Sequence, residues 1–94
     1  MGAPVTMTRV VNIRNTALYD VYIGRPSPWG NPYKIGQDGT RQEVLAKFRT
    51  YLDKHPQLVR QARVALKGKR LGCYCHPLPC HGDIWVQYIE GMEP

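Results

Sequence analysis

Apolar residues alternate with polar ones in some parts of the chain and recur every three to four residues in others. Residues 5–13 mix β-branched side chains with partial alternation, and residues 20–24 and 69–75 carry shorter stretches of similar character. These patterns are typical of β-strands. Because only a brief turn joins the first two strands, we expect those two to pair antiparallel.

Helical spacing covers much of the chain between the second and third strands and returns near its end. Thr40 and Glu43 form the capping-box pattern that opens a helix. Pro56 suits the first position of a second helix, which Gly68 would end. A closing helix is predicted over residues 81–92. The expected buried positions of the three helices are Val44, Leu45, Phe48, Tyr51 and Leu52, then Leu58, Val59, Ala62 and Leu66, then Ile84, Trp85, Tyr88, Ile89 and Met92.

These elements together predict a small α/β fold. We expect a single domain over residues 1–94, with a short mixed β-sheet and helices packed on it, because two helices make the last connection long enough for a parallel crossover. The longest apolar runs fall short of the roughly 18 residues that a membrane span needs. The first residues also lack the basic and apolar segments of a secretory signal. A soluble protein without a membrane segment is therefore expected.

Charge and cysteine content limit the classes of partner and the cellular compartment that we expect. The chain has 13 Lys and Arg against 7 Asp and Glu, a formal net charge of +6. This balance favours phosphate-bearing partners, although solubility alone accounts for it equally well. Three cysteines are an odd number, and Cys73 and Cys75 are too close for an easy bridge in an extended strand. A disulfide framework is therefore not expected, and a reducing cytoplasm fits best.

Residues 73–81 hold all three cysteines and two of the three histidines of the chain. In a strand, residues two apart face the same way, so Cys73 and Cys75 should present both sulfurs together. Cys80 and His81 would start the last helix beside the carboxyl end of this strand, where ligands of open α/β sheets usually bind. A sulfur at a helix start is near free N–H groups and the positive end of the dipole, which favour thiolate.

Three interpretations of this cluster stay open. In the first, Cys73, Cys75 and Cys80 with His81, or with His76, hold a tetrahedral zinc ion; an iron–sulfur cluster would use the same thiolates, but the familiar ferredoxin spacings are absent. In the second, Cys80 is a catalytic nucleophile and His81 or His76 its base. In the third, the cysteines are small buried hydrophobic residues.

The second strand leads into a loop that has the residues of a binding surface. Residues 24–33 contain three prolines and two glycines, which exclude a helix or a central strand. Arg25 offers a fork for phosphate or carboxylate, Trp29 a face for a base, and Asn31 a donor and an acceptor. Arg41 adds positive charge in the first turn of the capped helix. If the second and third strands are parallel, this loop lies at the same sheet edge as the cysteine cluster, and the two share one cleft. Such a cleft would suit a nucleotide, or an exposed nucleotide in a strand. Trp29 alone is better explained as a cap on the core.

The segments 21–32, 35–41, 71–75 and 80–83 closely resemble a family catalogued as domain of unknown function 4326. The resemblance covers most of the chain from Arg9 onward. It implies a phage or phage-derived protein that works in a bacterial cytoplasm. A fainter similarity to another family, in which a strand ending in cysteine leads to a Cys-His pair at a helix start, implies a Rossmann-like arrangement. The family pattern emphasises Arg25, Trp29, Asn31, Arg41, Cys73, Cys75, Cys80, His81 and Asp83.

Two functions follow from the sequence as hypotheses. The first is a metal- or thiol-bearing domain that binds, or also processes, a nucleotide or a nucleic-acid phosphate. Arg25 and Arg41 would hold the anion, and Asp83 would orient an imidazole. Metal-bound water or the Cys80 thiolate would attack if the domain is catalytic. The second is a non-enzymatic phage protein that docks on a host protein and uses its cysteines only for folding or for structural zinc.

Overall fold

Three short strands, β1 (Arg9–Asn12), β2 (Val21–Tyr22) and β3 (Arg70–Cys73), form a parallel sheet in the computed structural model, which describes residues 7–91. The strand order is β1-β3-β2, and Leu71 of the central strand pairs with Val10 on one side and Val21 on the other. The predicted α/β class is confirmed. The predicted antiparallel pairing of the first two strands is wrong, because β3 lies between them, and the sheet described is parallel instead of mixed. The Rossmann-like arrangement stays a prediction.

The described residues also form three helices: α1 (Arg41–Asp53), α2 (Pro56–Ala65) and α3 (His81–Glu90). α3 packs on β1, and α1 and α2 pack on α3. The predicted capping box is present at the start of α1, and Pro56 is the first residue of α2. α3 ends at Gly91, which has the left-handed φ of 71° that favours glycine. Residues 5 and 6 of the predicted first strand, and Met92 of the predicted last helix, lie outside the described residues.

The core lies between the sheet and the helices and is built largely from the positions predicted by periodicity. Its largest fully buried side chains are Trp85, Phe48, Ile23, Leu52, Leu66 and Leu71. Phe48 of α1 and Trp85 of α3 meet edge to face, with 5.7 Å between ring centroids. No helix within residues 7–91 is long and apolar enough to cross a membrane.

The parallel sheet brings the carboxyl ends of all three strands to one edge. The loop that follows β2 and the segment that follows β3 therefore start side by side. α3 begins at this edge, with Cys80 as its N-cap residue. The topology thus places the two segments with unusual chemistry next to each other.

Candidate functional site

A cleft of about 480 Å³ opens at this edge of the sheet, and we call it the carboxyl-edge cleft. Three parts of the chain form its wall: residues 22–35, the first half of α1, and residues 74–81. The structure thus brings together most of the side chains that the sequence singled out. Those on the wall are Arg25, Asn31, Arg41, Cys75, Cys80 and His81.

The wall of the cleft is positively charged. Arg25, Lys34 and Arg41 contribute to it, and no carboxylate of the described residues does. Arg25 Nη1 donates to the carbonyl of Asn31 at 2.8 Å, and Arg41 Nη1 donates to the carbonyl of Pro79 at 2.9 Å. A guanidinium has five N–H donors, so these bonds orient each side chain and leave donors for a ligand. The arrangement suits an anion.

Three tyrosines, Tyr22, Tyr33 and Tyr74, share the same wall. Tyr22 and Tyr74 meet edge to face, with 6.1 Å between centroids, and Arg14 lies over the Tyr74 ring at 5.2 Å. Tyr74 is half exposed, at 52%. Sequence reasoning missed these rings. The available signal was the alternation in β2, where Tyr22 precedes the buried Ile23 and must face the other way.

Asn31 holds the loop after β2 against α1. It is 7% exposed, its side-chain amide donates to the carbonyl of Val44 at 3.2 Å, and its oxygen accepts the N–H of Tyr33 at 2.9 Å. Its polar atoms are therefore engaged in shaping the cleft. Trp29 does not line the cleft: it packs edge to face on Trp85 at 5.8 Å and accepts the indole N–H of Trp85 on its carbonyl. This is the core position that the sequence favoured for Trp29 alone.

Cys80, on the cleft wall, contacts Cys73, which does not line the cleft. Their sulfurs are 3.4 Å apart and share a hydrogen bond, and each residue is 3% exposed. The hydrogen bond with Cys80, followed by the backbone N–H groups of His76 and Cys75, lowers the pKa of Cys73 to about 6. Its partner Cys73, followed by burial, raises the pKa of Cys80. The helix start alone predicts the opposite direction for Cys80, but here the neighbouring Cys73 thiol and burial outweigh it.

Cys75 is separated from this pair by the end of the strand. β3 ends at Cys73, and the Cys75 carbonyl accepts the N–H of Leu78 at 2.8 Å in a turn. The prediction that Cys73 and Cys75 share a strand face is therefore wrong: Cys73 is buried, while the half-buried Cys75 lines the cleft. Within residues 7–91, no three His, Cys, Asp or Glu side chains converge to hold a metal ion. Zinc at Cys73, Cys75, Cys80 and His81 stays a prediction.

His81 and Asp83 lie in the first turn of α3. His81 Nε2 is 2.7 Å from the carbonyl of Ile23, so this nitrogen carries a hydrogen and donates it. Burial lowers the pKa of His81, which favours the neutral imidazole. The Asp83 carboxylate accepts the backbone N–H of Cys80 at 3.0 Å and so caps the helix. The imidazole is thus oriented by a backbone carbonyl.

Comparison with known proteins identifies a family and two viral relatives. The model of a family described as "Domain of unknown function (DUF4326)" matches residues 8–91. An "Uncharacterized 12.4 kDa protein in nrdA-td intergenic region" of Enterobacteria phage T4 is 38% identical over 90 residues, which cover 92% of this chain and 81% of that protein. "Uncharacterized protein R718" of Acanthamoeba polyphaga mimivirus is 29% identical over 113 residues, which cover 99% of this chain and 85% of that protein. No solved structure matches.

Proposed function

The chain belongs to the DUF4326 family, and we propose that it binds a nucleotide, or an exposed nucleotide of a nucleic-acid strand, in the carboxyl-edge cleft. One observation carries the proposal: three cationic side chains and three tyrosines share a wall to which no carboxylate of the described residues contributes. Cations attract phosphate and aromatic faces stack on bases, so the two kinds of group together suit a nucleotide better than either does alone.

Each group has a distinct part in this proposal. Arg25 and Arg41 hold the phosphate, because their carbonyl bonds fix the guanidinium planes before the ligand arrives. Tyr74 is the base platform, since half of its surface is exposed and Arg14 and Tyr22 support its ring. A volume of about 480 Å³ lies within the range usual for small-molecule sites.

Processing of the ligand is a further step that the same wall would allow. Cys80 and His81 border the cleft, and the neutral His81 ring would serve as a base. Binding does not depend on a metal. Zinc at the cysteines stays a separate prediction, tested by elemental analysis of anaerobically purified protein. About one zinc per chain would support it, and none would leave the three thiols free.

The viral relatives and the three free cysteines support work in the cytoplasm of an infected cell. For the phage relatives this means a bacterial host. Fractionation of infected cells checks the compartment, and recovery of the protein outside the cytoplasm would contradict it.

Calorimetric titration tests the binding proposal. The probes are ATP and a short single-stranded oligothymidine, added to the full chain at low salt. We expect Arg41→Gln and Tyr74→Ala each to weaken binding about tenfold, a loss typical of one charge-assisted bond or one stacked base. Arg60→Gln is the matched control, because Arg60 is an exposed arginine of α2 outside the cleft wall.

Two results would contradict the proposal. One is the absence of heat with both probes up to millimolar concentration. The other is an equal loss in Arg60→Gln and Arg41→Gln, which would indicate attraction to net charge instead of a site. Either result would leave docking on a host protein as the remaining hypothesis, and circular dichroism of each variant shows that the fold is retained.

A further inference from the structure

We propose that Cys73 and Cys80 are a redox couple that a peroxide converts to a reversible disulfide. The observation is their geometry: two reduced sulfurs lie 3.4 Å apart in the core, seven residues apart in the chain. A disulfide needs about 2.05 Å between sulfurs, so the pair must close by only about 1.4 Å. This inference does not depend on the ligand of the cleft.

The backbone holds both residues in place for this reaction. Cys73 is the last residue of β3, where it pairs with Asn12 and its carbonyl accepts the N–H of Ile13 at 3.0 Å. Cys80 is the N-cap of α3. Its N–H donates to the Asp83 carboxylate, and its carbonyl accepts the backbone N–H of Asp83. We therefore expect the sulfurs to approach each other by side-chain rotation, without movement of the two backbone segments.

The chemistry balances with a peroxide as the oxidant. The sulfur of one thiol, having released its proton, attacks a peroxide oxygen; the O–O bond breaks, and the departing hydroxide takes up the proton as water. The neighbouring sulfur then attacks the sulfenic acid, forms the S–S bond and expels a second hydroxide, which takes the second thiol proton. Two thiols and one hydrogen peroxide give one disulfide and two waters.

A small oxidant has a route to the pair, because Cys80 forms part of the cleft wall although it is only 3% exposed. Cys75 also lines the cleft and is more exposed than either partner. Exposure alone would therefore select Cys75 for oxidation, whereas proximity selects Cys73 and Cys80. Identifying the oxidised cysteines therefore shows whether exposure or proximity determines which thiols react.

The test treats reduced full-length protein with stoichiometric hydrogen peroxide and then blocks the remaining thiols with iodoacetamide. Trypsin releases residues 71–94 as one peptide, because no Lys or Arg follows Arg70. Cleavage by chymotrypsin after Tyr74 then separates Cys73 from the other two cysteines. We expect a peptide containing Cys73 to stay linked to one containing Cys80, with Cys75 alkylated, and dithiothreitol to restore three free thiols.

Variants make the assignment independent of peptide mapping. Cys75→Ser should form the disulfide as fully as the parent protein, whereas Cys80→Ala should form none while retaining its circular dichroism. Cys73→Ser supplies the same comparison from the other side of the pair. The proposal is overturned if a bridge requires Cys75, or if peroxide leaves the parent protein with three free thiols or with sulfinic acid and no bridge.

Discussion

Asn31 helps to shape the cleft through its buried side-chain amide. Its side-chain N–H donates to the carbonyl of Val44 in α1, and its side-chain oxygen accepts the N–H of Tyr33 within the loop after β2. In Asn31→Ala, the Val44 carbonyl loses its buried side-chain donor and the part-buried Tyr33 N–H loses its acceptor. We expect the free energy of unfolding to fall by about 2 kcal/mol, the usual cost of unpaired buried polar groups. Urea denaturation measures this change.

Asn15→Ala is the matched control, because Asn15 is an exposed asparagine in the turn after β1. Its free energy of unfolding should stay within about 0.5 kcal/mol of the parent value. Equal losses in the two variants would show that Asn31 has no special structural role.

Single residues show which parts of the site the sequence makes predictable. Arg25, Asn31, Arg41, Cys80 and His81 stand beside predicted turns and helix starts, so their convergence followed from element order. Among the tyrosines, only Tyr22 had a signal, its alternation with the buried Ile23. Tyr33 and Tyr74 lie outside the strands of the structure, where no periodic pattern predicts which way a ring faces. The Cys73–Cys80 contact also required the structure, since it depends on how the turn between them closes.

The start of α1 positions Arg41 at the cleft, so its cap has functional consequences. Thr40 accepts the N–H of Glu43 and the Glu43 carboxylate accepts the N–H of Thr40. We expect Thr40→Ala to lower the free energy of unfolding by about 1 kcal/mol. Thr50→Ala is the control on the same helix: Thr50 is exposed within α1, and alanine there should be neutral or slightly stabilising. An unchanged stability in Thr40→Ala would show that the cap is dispensable.

The close approach of α3 to the sheet depends on Gly82. A Cβ at this position would lie 2.9 Å from side-chain atoms of both Ile23 and Val10. Alanine favours a helix by about 1 kcal/mol over glycine, but overpacking in a filled core costs about 1 to 3 kcal/mol. We expect Gly82→Ala to destabilise the protein by about 1 kcal/mol in urea denaturation. The loss should shrink in a Val10→Ala background, and an undiminished loss would contradict the steric explanation.

Asp20 extends the pairing of β2 with β3 through its side chain. The side chain and then the backbone N–H of Arg70 lower the pKa of Asp20 to about 2. A depressed carboxyl pKa stabilises the folded state above the unfolded value of about 3.8, and this stabilisation disappears as the pH falls through about 2. The stability difference between the parent protein and Asp20→Asn should therefore shrink over that window in urea denaturation.

Carboxyl NMR titration checks the same interaction directly. Arg70→Gln should raise the pKa of Asp20 part of the way, because the backbone bond remains. Lys69→Gln should move it less, since Lys69 acts on Asp20 only through its charge. Equal shifts in the two variants would contradict the hydrogen-bonded pair.

The strand order marks the limit of sequence reasoning at the scale of elements. A short connection favours neighbouring antiparallel strands, but β3 arrives after two helices and pairs with both β1 and β2. Its residues Leu71, Gly72 and Cys73 are buried, as expected for the centre of a parallel sheet. The spacing of apolar residues within one segment cannot predict that β3 lies between β1 and β2, because this pairing joins segments far apart in the chain.

At the scale of the whole molecule, the two ends of the described chain are joined beside the start of β3. Glu90, at the end of α3, accepts the N–H and the hydroxyl of Thr8 at 3.0 and 2.6 Å. The Thr8 hydroxyl in turn accepts the N–H of Gly68 at 2.8 Å, and Lys67 lies 3.8 Å from Glu90. These bonds fix the helix whose start carries Cys80 and His81 relative to the sheet.

Thr8→Val tests whether this junction stabilises the fold as one cooperative unit. Thr8 is 3% exposed, so valine keeps the shape and removes the hydroxyl, leaving the Gly68 N–H and the Glu90 carboxylate each short of a partner. We expect a loss of about 2 kcal/mol in the free energy of unfolding. If the junction acts on the whole molecule, hydrogen exchange in α3 and in β3 should accelerate together. Faster exchange near residue 8 alone would show that the junction stabilises only the first described residues. Thr16→Val is the comparison: the Thr16 hydroxyl accepts one exposed N–H, that of Leu18, so we expect a smaller loss and no change of exchange in α3 or β3.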